Sequence, residues 1–181
     1  MTSFLSRSIA TGLCVLLPIA PLAAATKTLV VAAKTSHTAV FTVVYDDQVW
    51  SASFGTIATQ NNMDAFLVQA GQRPDSTPAA VLVNSQSNKR LYRDFEDFIA
   101  QDLALLNSQA TIVSSQRRPL TLAQKPVRKA LEIQIRFDDE FQRAVYIETD
   151  KAYISLVLSL TTTTTAWDGP FNQLLSDLYL D

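Results

Sequence analysis

Residues 127–137, VRKALEIQIRF, alternate apolar and polar side chains along most of their length. The odd-numbered positions include the apolar residues Val127, Leu131, Ile133, Ile135 and Phe137. The even-numbered positions include the polar residues Arg128, Glu132, Gln134 and Arg136. A period of two is typical of a β-strand with one buried face and one solvated face. The stretch therefore predicts such a strand, with Ile133 in the core and Gln134 facing solvent.

Two further β-prone runs extend this strand into a meander. Residues 138–140 (DDE) interrupt the alternation, residues 141–149 are rich in β-forming residues, and residues 150–151 (DK) separate them from a third run at 152–160. Short polar turns between strands favour antiparallel pairing of neighbours. Residues 127–160 therefore predict a three-stranded antiparallel meander, around which the other elements are arranged.

Shorter β-prone segments precede the meander. Residues 38–45 and 48–54 flank Asp46-Asp47, and this arrangement predicts a hairpin. Further strands are predicted at residues 28–33 and 79–83, and residues 63–70 fit either a short helix or a strand, of which the strand is favoured.

Two apolar stripes with helical spacing predict two helices. The first stripe consists of Leu91, Phe95, Phe98, Ile99, Leu103 and Leu106, and the second consists of Phe171, Leu174, Leu175 and Leu178, with Asp168 as capping residue. Spacings of three and four place such residues on one face of a helix. Both stripes are therefore expected to lie on the sheet.

The segments around these helices complete the predicted fold. Residues 110–115 are β-prone, residues 116–119 (QRRP) predict a turn, and residues 120–122 predict a brief strand. The five threonines at 161–165 favour an extended conformation because threonine is branched at Cβ. Strands, a helix, a run of strands and a second helix predict an α+β domain whose mostly antiparallel sheet is covered by two main helices.

The first 25 residues have the pattern of a secretory signal peptide. Arg7 precedes an apolar run, and Ala23-Ala24-Ala25 forms an A-x-A cleavage site. The apolar run contains Pro18 and is shorter than the ~20 residues that a membrane span needs. We expect cleavage to leave residues 26–181 as a single α+β domain without a transmembrane segment, exported to the periplasm or fully secreted.

Cysteine content and net charge exclude several classes of function. The only cysteine, Cys14, lies within the predicted signal peptide, so the mature chain would have neither a catalytic thiol nor a disulfide. Acidic residues (17) exceed basic residues (15). This balance argues against a general binder of nucleic acid or anionic membranes.

Basic residues are nevertheless concentrated at one place, namely Arg117, Arg118, Lys125, Arg128 and Lys129. One interpretation is a patch that docks an acidic partner protein or an anionic surface. The other is a solvated hairpin whose long cationic side chains prevent edge-to-edge pairing of sheets. The sequence leaves both interpretations open.

Residues that could carry catalysis or bind metal lack the neighbours that such chemistry requires. His37, the sole histidine, lies in a polar stretch, and the chain contains no G-x-S-x-G motif. Asp46-Asp47 and residues 138–140 lack the alternating ligand spacing and the glycine of a calcium loop. Trp50 and Trp167 are scattered aromatic residues, expected to pack against the sheet or at its rim. The sequence therefore predicts no catalytic residue, no metal ligand and no cofactor.

Several segments together resemble the Mog1/PsbP-like superfamily. They are a helix at Phe95-Glu96-Asp97-Phe98-Ile99, a strand near Thr111, a hairpin at residues 120–126, Ala152-Tyr153 opening the last meander strand, and a closing helix at residues 171–178. The resemblance covers residues 79–180 and concerns layout and hydrophobic pattern. It implies an α/β/α sandwich and a small binding or assembly protein, often exported and without catalytic residues. It supplies no functional residue.

These observations favour an exported, non-catalytic binding or assembly protein that acts on another protein or an envelope component. Two alternatives remain open. The first, in the same broad class, is a periplasmic inhibitor or immunity protein that blocks a secreted toxin. The second is a hydrolase that uses dispersed carboxylates or His37, which would have to converge in a deep polar pocket.

Overall fold

The computed structural model describes residues 25–32, 39–53, 63–73, 76–109, 111–122 and 127–180. The strands within these residues are β1 (Thr26–Ala32), β2 (Ala39–Asp46), β3 (Trp50–Ser53), β4 (Ala65–Gln69), β5 (Ala79–Gln86), β6 (Ser114–Pro119), β7 (Lys129–Arg136), β8 (Phe141–Glu148), β9 (Tyr153–Leu160) and β10 (Leu178–Leu180). The helices are a 3₁₀ turn at Lys89–Leu91, α1 (Phe95–Gln109) and α2 (Asp168–Ser176). Residues 1–24, His37 and Lys125 lie outside the described residues.

The described strands form two antiparallel sheets. The larger has seven strands in the order β3-β4-β5-β9-β8-β7-β6, and the smaller has three in the order β1-β2-β10. Within the larger sheet, β7, β8 and β9 pair as consecutive neighbours. The predicted meander is therefore confirmed, as are the strands expected near residues 63–70 and 79–83.

The central strands of the larger sheet are buried on both faces. β8 directs Val145 and Ile147 to a core beneath α2 and the smaller sheet, and Ala144 and Tyr146 to a second core beneath α1. β9 has the same two-sided burial because Leu156 enters the first core and Tyr153 enters the second. The two helices thus cover opposite faces of a mostly antiparallel sheet, which confirms the predicted α+β class.

The second predicted stripe is confirmed for Phe171, Leu174 and Leu175, which are buried on α2, whereas Leu178 is buried in β10, because the helix ends at Ser176. The first stripe begins later than predicted, because Leu91 lies in the 3₁₀ turn and is 61% exposed. Among the described residues, neither helix has the length and hydrophobicity required to cross a membrane.

The hairpin predicted at residues 38–54 is wrong. β2 pairs with β1 and β10 in the smaller sheet, whereas β3 pairs with β4 in the larger one. The chain does turn after Asp46, where the backbone N–H of Val49 donates to its carbonyl at 3.1 Å. This turn carries the chain from one sheet to the other, and Phe41 and Trp50 meet in the core between them. The apolar alternation predicted each strand but held no information about which strand it would pair with.

Three local predictions after α1 are also corrected. Residues 116–119 belong to β6, where hydrogen bonding to β7 overrides the turn tendency of Pro119. Residues 120–122 and 161–165 are irregular. The threonines are exposed and do not pair with a strand among the described residues, so their β propensity has no ladder to join.

Candidate functional site

The structure brings four of the five predicted basic residues to one end of the β6–β7 pair, and the fifth, Lys125, lies outside the described residues. Arg117 and Arg118 lie in β6, Lys129 begins β7, and Arg128 directly precedes it. Ala130 accepts a hydrogen bond at its carbonyl from the backbone N–H of Leu120 at 3.1 Å, which continues the pairing of β6 and β7 toward these residues.

Most of this positive charge is paired locally. Arg117 pairs with Glu96 at the start of α1, and Arg128 pairs with Asp150. Nη2 of Arg118 lies 2.6 Å from Oε1 of the buried Glu132. Lys129 is exposed, and within the described part of the chain it forms no ion pair. These pairs reduce the charge asymmetry that the sequence suggested.

A groove of about 400 Å³ lies at the same end of the sheet. We call it the basic groove; its apolar lining is Phe95, Leu120, Leu122, Val127 and Leu131, and its charged lining is Arg128, Lys129 and Glu96, the last of which pairs with Arg117. Leu120, Leu122 and Val127 are only partly covered by the core against which they pack. The groove therefore offers apolar surface to a partner beside cationic side chains.

A buried ionic network lies beside this region, and the sequence did not predict it. Glu132 is fully buried and Arg143 is 6% exposed; Nη2 of Arg143 donates to Oε2 of Glu132 at 3.0 Å. Arg143 also donates to Asp168 at 3.2 Å and to Asn172 at 2.8 Å, both in α2. The network ties the sheet to α2, and Asp168 serves there as an ion-pair partner with no side-chain capping bond.

This network also corrects the predicted polar face of the first meander strand. Glu132 is buried, and Gln134 is half-buried and donates to Oε1 of Glu132 at 3.1 Å. Burial raises the pKa of Glu132, but hydrogen bonds from Arg143 and Gln134 and the charges of Arg143 and Arg118 more than offset it. The pKa therefore lies below its ordinary value of 4.5, and the carboxylate stays ionised.

A second, partly buried carboxyl group, Asp102, lies on the inner face of α1. The hydroxyl of Tyr146 donates to Oδ2 of Asp102 at 2.7 Å. Burial raises the pKa of Asp102, although the hydrogen bond from Tyr146 opposes the shift. Burial and the neighbouring Asp102 raise the pKa of Tyr146 as well, so the phenol keeps its proton. This pair links α1 to β8.

The acidic clusters considered as metal ligands are engaged in turns. Oδ1 of Asp46 accepts the backbone N–H of Gln48 at 2.8 Å, and Asp47 pairs with Lys27 at 3.2 Å. Glu140 accepts hydrogen bonds from Gln142 and Ser159, each at 2.6 Å. Within the described ranges, no three His, Cys, Asp or Glu side chains are placed to hold a metal ion.

The two tryptophans are not scattered in the folded chain. The rings of Trp50 and Trp167 lie 5.0 Å apart with an interplanar angle of 45°. A cavity of about 370 Å³ adjoins Trp50 and is lined by Tyr45, Leu174 and Asp177 among others. Because Trp50 is buried, this pair serves mainly to pack the residues before α2 against β3.

Comparison with known proteins identifies the fold. No family model and no curated protein match the sequence. The solved structure of cyanobacterial PsbP (CyanoP) from Synechocystis is similar, with a TM-score of 0.54, 12% identity, and coverage of 89% of this chain and 95% of that one. The Ran-binding protein Mog1p of Saccharomyces cerevisiae gives a TM-score of 0.45 at 10% identity, with coverage of 87% and 96%. A putative regulator of unknown function from Pseudomonas aeruginosa gives 0.45 at 14% identity, with coverage of 73% and 97%.

At these identities the similarity concerns the fold alone. The chain has the Mog1/PsbP-like α+β fold, as the sequence resemblance implied. Because a fold can host unrelated functions, function must be argued from the surface of this chain.

Proposed function

We propose that this protein is an exported, non-catalytic binding or assembly protein that engages another protein or an envelope component through the basic groove. The observation that carries the proposal is the combination, in one groove of about 400 Å³, of the partly exposed Leu120, Leu122 and Val127 with the neighbouring cations Arg128 and Lys129. Partly exposed apolar surface beside charged side chains is typical of sites that bind another macromolecule.

Charge and apolar contact have separate roles in this groove. Leu120, Leu122 and Val127 would lose water on binding and supply most of the affinity. Lys129 and Arg128 would orient an acidic segment and accelerate its approach. Since Arg128 already pairs with Asp150, Lys129 is the rim cation without an ion pair among the described residues, and binding should weaken as salt rises.

The non-catalytic part of the proposal is supported by how the buried carboxylates are used. Glu132 is held by Arg143, Arg118 and Gln134, and Asp102 is held by Tyr146. Neither borders one of the grooves described above. Both carboxyl groups are thus occupied by neighbouring side chains of the same fold.

Export is the part of the proposal that concerns residues 1–25. Cleavage behind Ala25 would start the mature chain at Thr26, the first residue of β1, which is paired with Asp46. The mature chain would thus begin at the first residue of a strand of the smaller sheet. Intact-mass measurement of the protein from an envelope fraction should show loss of residues 1–25. Retention of these residues, or recovery from the cytoplasm, would contradict export.

The groove is tested by comparing what the chain captures from native envelope extract at moderate salt. The test variant is Arg128→Gln/Lys129→Gln, and a second test variant, Leu122→Glu, places a charge among the apolar residues. The control is Arg73→Gln/Arg90→Gln, which removes the same charge at two exposed positions elsewhere.

The proposal predicts a specific component that the wild-type and control chains retain and both groove variants lose. Equal capture by all four chains would place binding elsewhere on the molecule. Turnover of a small substrate by the purified chain, abolished by one polar substitution, would overturn the non-catalytic assignment.

A further inference from the structure

Resting on the proposed binding function, we propose that β6 is the docking strand for its partner. An extended segment of the partner with two consecutive acidic residues would pair with β6 and become the eighth strand of the larger sheet. Three properties of β6 favour this pairing: its position, the direction of its backbone groups, and the placement of Arg117 and Arg118.

β6 is an outer strand of the larger sheet, paired with β7 on one side only. All six of its side chains are exposed. The other outer strands each carry buried side chains: Leu29 in β1, Trp50 in β3 and Leu178 in β10. In the described part of the chain, β6 is thus the outer strand whose two faces are both left open to a partner.

The hydrogen-bond alternation shows which backbone groups of β6 point outward. Leu120 donates its backbone N–H to Ala130, its register partner, so Leu120 faces β7. In an antiparallel pair the backbone N–H and C=O groups of every second residue point to the neighbouring strand. The backbone groups of Gln116 and Arg118 therefore point toward β7, and those of Ser115 and Arg117 point away from it. Pro119 is one of the residues whose backbone groups point away from β7, so its missing N–H removes no hydrogen bond to β7. In the described part of the chain, two N–H groups and the carbonyls beside them are therefore open to an added strand.

The two arginines of β6 lie on opposite faces of the sheet. Arg117 reaches Glu96 of α1, whereas Arg118 reaches Glu132 on the α2 side. Their side chains remain 47% and 53% exposed, and each guanidinium has five N–H donors, so donors are left for a further carboxylate. On a strand beside β6, the residues opposite Arg117 and Arg118 are consecutive in sequence. The preferred partner therefore carries two adjacent acidic residues.

The same arginines oppose pairing with a second copy of this chain. Two copies of β6 brought edge to edge would place arginine side chains near one another, and like charges on adjacent strands are destabilising. Cations on an outer strand are a common protection against self-pairing. In this chain Arg117 and Arg118 would oppose pairing of β6 with a second copy of itself and favour pairing with an acidic strand.

The test uses two synthetic peptides and the uniformly ¹⁵N-labelled chain. The probe is TVTEETVT, and its matched control, TVTKKTVT, has the same β propensity with opposite charge. We expect the probe to protect the amides of Ser115 and Arg117 from hydrogen exchange at low salt and to lose affinity as salt rises. The lysine peptide should leave these amides unchanged. Equal effects of both peptides, or no effect of the acidic one, would overturn the proposal.

A pair of variants isolates the backbone contribution. Ser115→Pro removes an outward N–H without removing a bond to β7, and Ser115→Ala keeps that N–H. We expect Ser115→Pro to bind the acidic peptide with an affinity about fivefold or more below that of Ser115→Ala. Arg117→Gln leaves the backbone intact and should also weaken binding of the acidic peptide. It is the variant to measure if Ser115→Pro does not fold. Unchanged affinity in Arg117→Gln, together with unchanged affinity in a folded Ser115→Pro chain, would contradict strand addition.

These results remain separable from the proposed function. If Arg128→Gln/Lys129→Gln loses a captured envelope component while Ser115→Pro retains it, the groove binds a partner and strand addition is wrong. If neither variant changes capture, both proposals are wrong. If the wild-type chain forms a dimer and Ser115→Pro abolishes it, a second copy of the chain is the partner of β6. The proposal of an acidic segment would then be wrong.

Discussion

Arg143 and Glu132 form an ion pair inside the protein, with Nη2 of Arg143 3.0 Å from Oε2 of Glu132. The two side chains come from neighbouring strands, β8 and β7, and are 7% and 0% exposed. Arg143 also lies 5.2 Å from the centre of the Phe171 ring and bonds Asp168 and Asn172. One side chain thus connects the meander to α2.

Loss of Arg143 should be costly because it leaves Glu132 buried with only the half-exposed Arg118 as a cationic partner. We expect Arg143→Met to lower the free energy of unfolding by about 3–5 kcal/mol, the usual cost of breaking a buried ion pair. The double variant Glu132→Gln/Arg143→Met should be less destabilised than Arg143→Met, since no uncompensated carboxylate remains. Urea unfolding measures both, and equal losses would show that Arg143 acts through packing alone.

The lowered pKa of Glu132 gives the protein a defined response to acid. A carboxyl group with a lower pKa in the folded state stabilises the fold above its ordinary value of 4.5, and the stabilisation is lost as pH falls through the folded value. Between pH 6 and pH 3, the wild-type chain should therefore lose more stability than Glu132→Gln. Chemical unfolding at each pH measures the free energy of unfolding of both chains. If the two free energies fell equally with pH, Glu132 would not have a lowered pKa in the folded state.

Asp102 should show the opposite pH dependence, because burial raises its pKa. A raised carboxyl pKa favours the protonated form in the fold, so its contribution to stability declines as pH rises through the folded value. Asp102→Asn keeps an acceptor for Tyr146 and removes the buried charge. We expect this variant to be at least as stable as wild type at pH 7, with a smaller advantage at pH 4.

Tyr146→Phe is the control for that prediction. It leaves the Asp102 carboxylate without the hydrogen bond from the phenol and should cost about 1–3 kcal/mol at pH 7. If Asp102→Asn were as destabilising as Tyr146→Phe in thermal unfolding, the carboxylate would be a net stabiliser and our reading of its burial would be wrong.

The strand parity of β7 leads to a graded series of aspartate substitutions. Ile133→Asp places a charge in the core beneath α1 and should unfold the chain, at a cost of several kcal/mol. Gln134→Asp should cost about 1–3 kcal/mol because it loses a donor to Glu132 and adds a second negative charge beside it. Thr162→Asp, in an exposed loop, should be neutral. Circular dichroism melting curves would establish the order, and equal effects at 133 and 134 would contradict the parity.

The sequence by itself determined the meander, because alternation along β7 and apolar runs in β8 and β9 reflect burial that each strand imposes on its own residues. It also determined the two helical stripes, apart from the start of the first and from Leu178 at the end of the second, and the resemblance it carried led to the correct fold. All of these are local properties with a fixed period. They can be read without knowing which elements become neighbours.

Only the tertiary structure decided which strands pair and what lies across them. The turn at Asp46 joins two sheets because Phe41 and Trp50 fill the core between them, and no residue in the turn specifies this. Glu132 has the parity of a solvent-facing residue, but α2 and Arg143, which is 11 positions away, bury it. The charge cluster looked free along the chain, and folding supplied Glu96, Glu132 and Asp150 as its partners. Pairing and neutralisation depend on contacts between distant residues, and a local pattern does not record them.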